Sequence, residues 1–87
     1  MKIFTTPRFE KRLKVFLKFR PDLKEKVRET MNHITSNPFA SNLKTHKLSG
    51  QLKRYHSSRI TYEYRIIFIL EEDELCFIDI GSHDKVY

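Results

Sequence analysis

Apolar residues recur at helical spacing in the first half of the chain and run almost without a break in the second. Phe9, Leu13, Phe16 and Leu17 fall on one face of a 3.6-residue period and predict an amphipathic helix. Thr6 and Pro7 supply its start, a hydroxyl at the N-cap followed by a proline at the first helical position. "FRPDL" interrupts the stripe and opens a second helix, with Pro21 at its first position and Asp22 in the turn where a carboxylate is favoured. Leu23, Val27, Met31 and Ile34 make the second apolar stripe, and "TSNPFASN" ends it. Ahead of both helices, "KIFTT" predicts a short first strand.

The second half reads as strands. "KTHKLSG" and "QLKRYHSSRI" are strand-like and partly polar, whereas "YEYRIIFIL" becomes continuously apolar. A strand of that kind belongs at the centre of a sheet, covered on both faces. "EEDE" predicts a charged hairpin turn without glycine, and "LCFIDIG" returns as the next strand. The predicted order is β-α-α-β-β-β, an α+β fold in which a helical hairpin packs on a mainly antiparallel sheet. A chain of 87 residues predicts one domain, 1–87. Such a chain buries only about 60% of its unfolded surface, so the core must be simple.

Charge sharpens the picture. The net charge is +6, and residues 44–65 hold Lys44, Lys47, Lys53, Arg54, Arg59 and Arg65 against one acid, Glu63. These cations interleave with His46, Tyr55, His56, Tyr62 and Tyr64, the pattern of a surface for an anionic partner such as nucleic acid. Five of the eleven acids gather between Glu71 and Asp79, so the charge is polarised along the chain. The N-terminus has no apolar run suited to a signal peptide, and no segment is apolar enough to span a membrane. With Cys76 as the single cysteine, no disulfide can form within the chain, and the cytoplasm is the expected compartment.

The expected chemistry is acid–base work on a cationic surface. The histidines and Cys76 show no paired metal-ligand spacing, and Gly50 and Gly81 stand alone, so no metal, phosphate-cradling loop or small-molecule cofactor is expected. The stretch "SSRITYEYRIIF", residues 57–68, places Arg59, Glu63 and Arg65 at the mouth of the most hydrophobic strand. Glu63 and Arg65 share a parity, so a continuous strand would put both on one face. Two readings stay open there: a salt bridge at a strand end, or a pair of arginines that holds phosphate.

"HKLSG", "SSRITYEYRIIF" and "FIDIGSHDKVY" together resemble the RelE/ParE toxin superfamily, in particular its YoeB- and YafQ-like ribosome-dependent mRNA interferases. Members show an L-x-G turn, an R-I-x-x-E-x-R strand and a histidine after the last strand. The resemblance spans the whole chain. It implies that Glu63 and Arg65 act around the scissile phosphate, that His83 is a general acid or base, and that His46 matches a histidine of the YafQ-like branch. It places Tyr64 where that branch has an aromatic after its acid, and Tyr87 where a terminal aromatic aids base placement. Arg59, Lys53 and Arg54 complete the expected RNA-binding set from the basic segment. Arg59 stands where YafQ-like proteins carry histidine, Glu63 where they prefer aspartate, and Asp84 where YoeB-like proteins have tyrosine. Both divisions of the acid and base roles therefore stay open. The implied reaction is metal-independent attack of a ribose 2′-OH on the adjacent phosphate of mRNA in the ribosome, which blocks translation. The implied partners are the ribosome, mRNA and a cognate antitoxin. Two alternatives remain at this point. A ParE-like gyrase poison shares the fold but lacks the histidines and the charged strand, and a non-catalytic RNA- or protein-binding module would keep only the basic face.

Overall fold

A computed structural model of the chain describes residues 1–48 and 54–82. Strand β1 (Lys2–Thr5) leads into helix α1 (Pro7–Phe19). A 3-10 turn, Pro21–Leu23, precedes helix α2 (Lys24–Ser36), and a second, Ser41–Leu43, precedes strand β2 (His46–Lys47). Strands β3 (Tyr55–Arg59), β4 (Tyr64–Glu71) and β5 (Glu74–Ser82) follow. They form one five-stranded sheet in the order β1-β5-β4-β3-β2. All pairings are antiparallel except β1 with β5. The α+β expectation holds, with one strand more than predicted, because two residues of "KTHKLSG" pair with Ser57 and His56.

The helix starts follow from their caps. The Thr6 hydroxyl accepts from the Phe9 amide at 3.0 Å, and Pro7 stands at the first helical position. Pro21 does not open α2 directly; it begins the 3-10 turn, and α2 starts at Lys24. Arg20 locks this corner. Its Nε and Nη2 donate to the Asp22 carboxylate at 3.0 and 2.9 Å, and its Nη1 donates to the Tyr64 hydroxyl at 3.2 Å. That ion pair holds the Asp22 carboxyl below the usual carboxylate range.

The core lies between the helices and one sheet face. Phe9, Phe16, Val27 and Ile34 from the helices meet Ile66 and Phe68 of β4 and Leu75, Phe77 and Ile80 of β5. Phe9 stacks on Phe77 with ring centroids 5.3 Å apart. Strand β4 is central, as its unbroken apolar run predicts, and Ile66, Ile67 and Phe68 are all buried.

The turn after β4 matches the charged hairpin that "EEDE" predicts, and Glu72 adopts φ 50 there in place of a glycine. A register shift follows, where Ile67 pairs with Asp79 but Phe68 pairs with Phe77, leaving Ile78 as the extra residue of a bulge. Beyond the bulge, the buried Asp79 carboxylate forms ion pairs with Arg8 and Arg12 of α1. The Arg12 Nε contact lacks the angle of a hydrogen bond, so it is electrostatic, while Nη2 of the same side chain donates to the Ile80 carbonyl at 3.3 Å. No helix is long and apolar enough to cross a membrane among the described residues.

An 87-residue domain has about 4–13 kcal/mol of stability to lose. Phe9→Ala should remove about 3–5 kcal/mol of it, since the ring is fully buried on Phe77. Thr6→Ala should remove about 1 kcal/mol through loss of the cap. Urea unfolding of both variants measures the ratio, and equal losses would contradict this account of the core.

Candidate functional site

Alternation along β4 divides the site from the core. Tyr64, Ile66 and Phe68 point to the helices, so Arg65 and Ile67 take the opposite sheet face. Arg65 is only 7% exposed, an unusual position for a cation. Its Nε donates to the Ser57 hydroxyl at 2.6 Å and its Nη2 to the Lys44 carbonyl at 3.1 Å. The same Nη2 lies 3.5 Å from His46 Nδ1. Both of these oxygen acceptors are neutral.

The supports come from three elements. Lys44, which closes the Ser41–Leu43 turn, adopts a left-handed conformation (φ 50, ψ 42). A lysine there costs about 1–2 kcal/mol, and the turn sets its carbonyl on Arg65. His46 pairs with Ser57 between β2 and β3, which puts both on the Arg65 face. Thr45 and Ser58 join hydroxyls at 2.5 Å and tie the same loop to β3.

Arg59 is the direct cross-strand partner of Arg65. The Arg59 guanidinium lies 6.0 Å from the Tyr62 ring, and its Nε is buried without a hydrogen-bond partner among the described residues. Arg59 and Ile60 also close a small cavity against Lys26, Thr30 and His33 of α2.

Other sequence candidates fall elsewhere. Glu63 is exposed and precedes β4, in the connection from β3, where its amide donates to the Thr61 hydroxyl. The parity argument for Glu63 and Arg65 therefore does not apply: Ser57 and Lys44 orient Arg65, and Glu63 forms no ion pair with it. Tyr64 turns away from Arg65, with its ring edge-on to Phe16 at 4.9 Å and its hydroxyl held by Arg20. Arg54 pairs with Glu71 at 2.5 Å, at the far end of β4, about 20 Å along the strand from Arg65. Tyr64 thus packs on the helix side, and Arg54 pairs with Glu71 at the surface. His83, Lys53 and Tyr87 lie outside the described residues. Ser57 and the Lys44 carbonyl were missed; the available signal was a serine at an inward position of β3, opposite a strand that carries an arginine.

The arrangement defines a class: a small α+β protein with a buried, aimed arginine on its helix-free sheet face. Comparison with known proteins agrees. The sequence profile of the bacterial toxins of type II toxin–antitoxin systems, YafQ, matches residues 1–87. The chain belongs to that family. YafQ from E. coli strain BL21(DE3) superimposes with a TM-score of 0.86 at 22% identity, covering 99% of this chain and 97% of that one. The YoeB/ParE toxin from Agrobacterium tumefaciens gives 0.81 at 25% identity, over 95% and 99%. The toxin of the E. coli DinJ–YafQ complex gives 0.85 at 23%, over 99% and 97%. No curated protein matches the chain in sequence.

His56 stands apart from this site. It faces the core side, stacked on Phe68 at 5.5 Å and edge-on to Phe39 at 5.6 Å, with Nδ1 buried and without a hydrogen-bond partner among the described residues. Burial, and then the charge of Lys47, holds its imidazole below the usual histidine range. The neutral form is favoured in the folded chain. Its contribution is fully present above the unfolded value of about 6.5 and is lost as pH falls through the depressed folded value. His56→Phe should flatten the stability profile on the acidic side of pH 6.5 relative to the parent chain. Parallel profiles, measured by denaturant unfolding across that range, would contradict the assignment.

Proposed function

We propose that this chain is a ribosome-dependent endoribonuclease that cuts mRNA and so arrests translation, and that a cognate antitoxin neutralises it. The observation that carries the reading is the buried Arg65, aimed by Ser57 and Lys44 beside His46 and directly across the sheet from Arg59. A guanidinium fixed this way stabilises the extra negative charge of a pentacoordinate phosphorane without reorganising. Membership of a toxin family and the solved DinJ–YafQ complexes of a relative support the rest.

The reaction needs three parts. A base takes the proton of the ribose 2′-OH, and the oxygen attacks the adjacent phosphorus. The bond to the 5′ oxygen breaks, leaving a 2′,3′-cyclic phosphate. An acid gives that departing oxygen its proton, leaving a free 5′-OH. Glu63 and His46 are the candidate bases, His83 the candidate acid, with the reverse division also open. Arg65 and Arg59 hold the phosphate, and the apolar strand behind Arg65 keeps the guanidinium rigid. Lys53 and Tyr87 remain candidates for backbone and base contacts outside the described residues. The basic surface suits the ribosome, which presents both RNA and mRNA.

His83→Ala should slow cleavage in programmed ribosomes by about 100-fold or more while ribosome binding persists. Arg65→Ala should lose roughly 100- to 1000-fold, and Arg65→Lys, which keeps the charge but not the fork, should recover only part. A 2′-deoxy nucleotide at the cleavage position should abolish single-turnover cleavage without abolishing binding. Undiminished cleavage of that substrate would refute 2′-OH attack. Pulse labelling after induction should show methionine incorporation falling first; early loss of thymidine incorporation instead would favour a gyrase poison.

A further inference from the structure

Tyr62 is the most exposed large apolar or aromatic side chain among the described residues, at 88%. A single exposed ring is ordinary on a protein surface, but this one borders the arginine pair. It stands in the connection between β3 and β4, three residues after Arg59 and three before Arg65, with Glu63 next in the chain. The Arg59 guanidinium lies 6.0 Å from the ring. Tyr64, two residues on, is already occupied, its ring on Phe16 and its hydroxyl on Arg20.

The connection keeps its shape without the Tyr62 ring. The Ile60 and Thr61 amides donate to the Tyr64 carbonyl at 2.9 and 3.3 Å. The Thr61 hydroxyl accepts from the Glu63 and Tyr64 amides at 3.2 and 3.3 Å. Ile60 is buried in the core and Tyr64 packs against it, so both ends of the connection are anchored. A ring presented on a turn that its neighbours fix loses little freedom when a ligand covers it.

The surroundings say which ligand fits. Arg59 faces Arg65 across the sheet, and its buried Nε has no hydrogen-bond partner among the described residues. The matching group offers a flat face to the ring and an anion to the arginines. An aliphatic side chain brings no anion, and a carboxylate brings no flat face. A nucleotide of an unpaired strand brings both, a planar base and a phosphate joined through one sugar.

Resting on the nuclease reading, we propose that Tyr62 is a substrate-positioning residue whose ring stacks on an mRNA base flanking the phosphate held by Arg59 and Arg65. Every base has a face to stack, so the contact fixes the position of the nucleotide rather than its identity. Glu63, a candidate base for the ribose 2′-OH, is the adjoining residue and shares the same held turn.

The test is single-turnover cleavage in programmed ribosomes by the full chain at saturating concentration. Tyr62→Ala should slow it by roughly 10- to 100-fold, the scale of one base–aromatic stack. Tyr62→Phe keeps the ring and should restore most of the rate. The concentration that half-saturates the ribosome, the far-UV circular dichroism and the urea midpoint should match the parent for both variants. Two further mRNAs each lack one base, on the 5′ or the 3′ side of the cleaved phosphate. One of them should slow the parent by the same factor, and Tyr62→Ala should slow its cleavage no further. A full Tyr62→Ala penalty on both abasic mRNAs overturns stacking on a flanking base. Tyr62→Phe as slow as Tyr62→Ala assigns the effect to the hydroxyl and overturns it too. A loss of ribosome binding with an unchanged saturated rate assigns the ring to the ribosome, and a lowered urea midpoint assigns it to the fold; either overturns the proposal. Undiminished cleavage by Tyr62→Ala overturns it and leaves the nuclease reading standing, whereas a parent chain that cuts no mRNA overturns both.

Discussion

The central strand has to be buried on both faces, and the structure depends on how β4 meets that demand. Its helix-facing side chains complete the core against α1 and α2. Its other side cannot be closed by the same helices, and it begins with Arg65. Burying a guanidinium costs several kcal/mol unless its donors are met. The fold meets them with a serine from the next strand and a backbone carbonyl from a left-handed turn. The loop from Ala40 to Lys47 is therefore held by the same contacts that aim the buried guanidinium.

Two sides of one thin sheet thus do separate work. The helix-free side collects Arg65, Ser57 and His46, and sets Arg59 opposite Arg65. The helix side collects the core and, at its margin, an apolar groove beside α1. The bulge at Ile78 links them. It breaks the strict alternation of β5, so that Asp79 can anchor α1 through two arginines while Ile80 still reaches the core. Six cations on and after α1 are tolerated partly because acids from elsewhere neutralise three of them, Asp79 for Arg8 and Arg12 and Asp22 for Arg20.

Much of this was legible in the chain. The stripes at Phe9–Phe16 and Val27–Ile34, the Thr6-Pro7 start and the apolar run of β4 follow from local periodicity and local caps, which need no tertiary partner to be read. Arg65 and Arg59 stand out in the sequence as charges at the mouth of an apolar strand, and His46 through the resemblance carried by "HKLSG". For Glu63 and Tyr64, which the resemblance also singles out, the structure sets Glu63 ahead of β4 and turns the Tyr64 ring to the helix side. Whether Glu63 lies inside the strand depends on where β4 begins, and a hydroxyl turn at Thr61 decides that.

By itself the sequence determined the α+β class, the helical hairpin, the central strand and the presence of a cationic face, because each is a matter of periodicity or composition. Only the tertiary structure decided that Ser57 and the Lys44 carbonyl hold Arg65, that Tyr64 belongs to the helix side, and that Arg54 pairs with Glu71. These are contacts between residues distant in the chain or choices between two faces of a strand. Both depend on register, and a shift of one residue exchanges the faces.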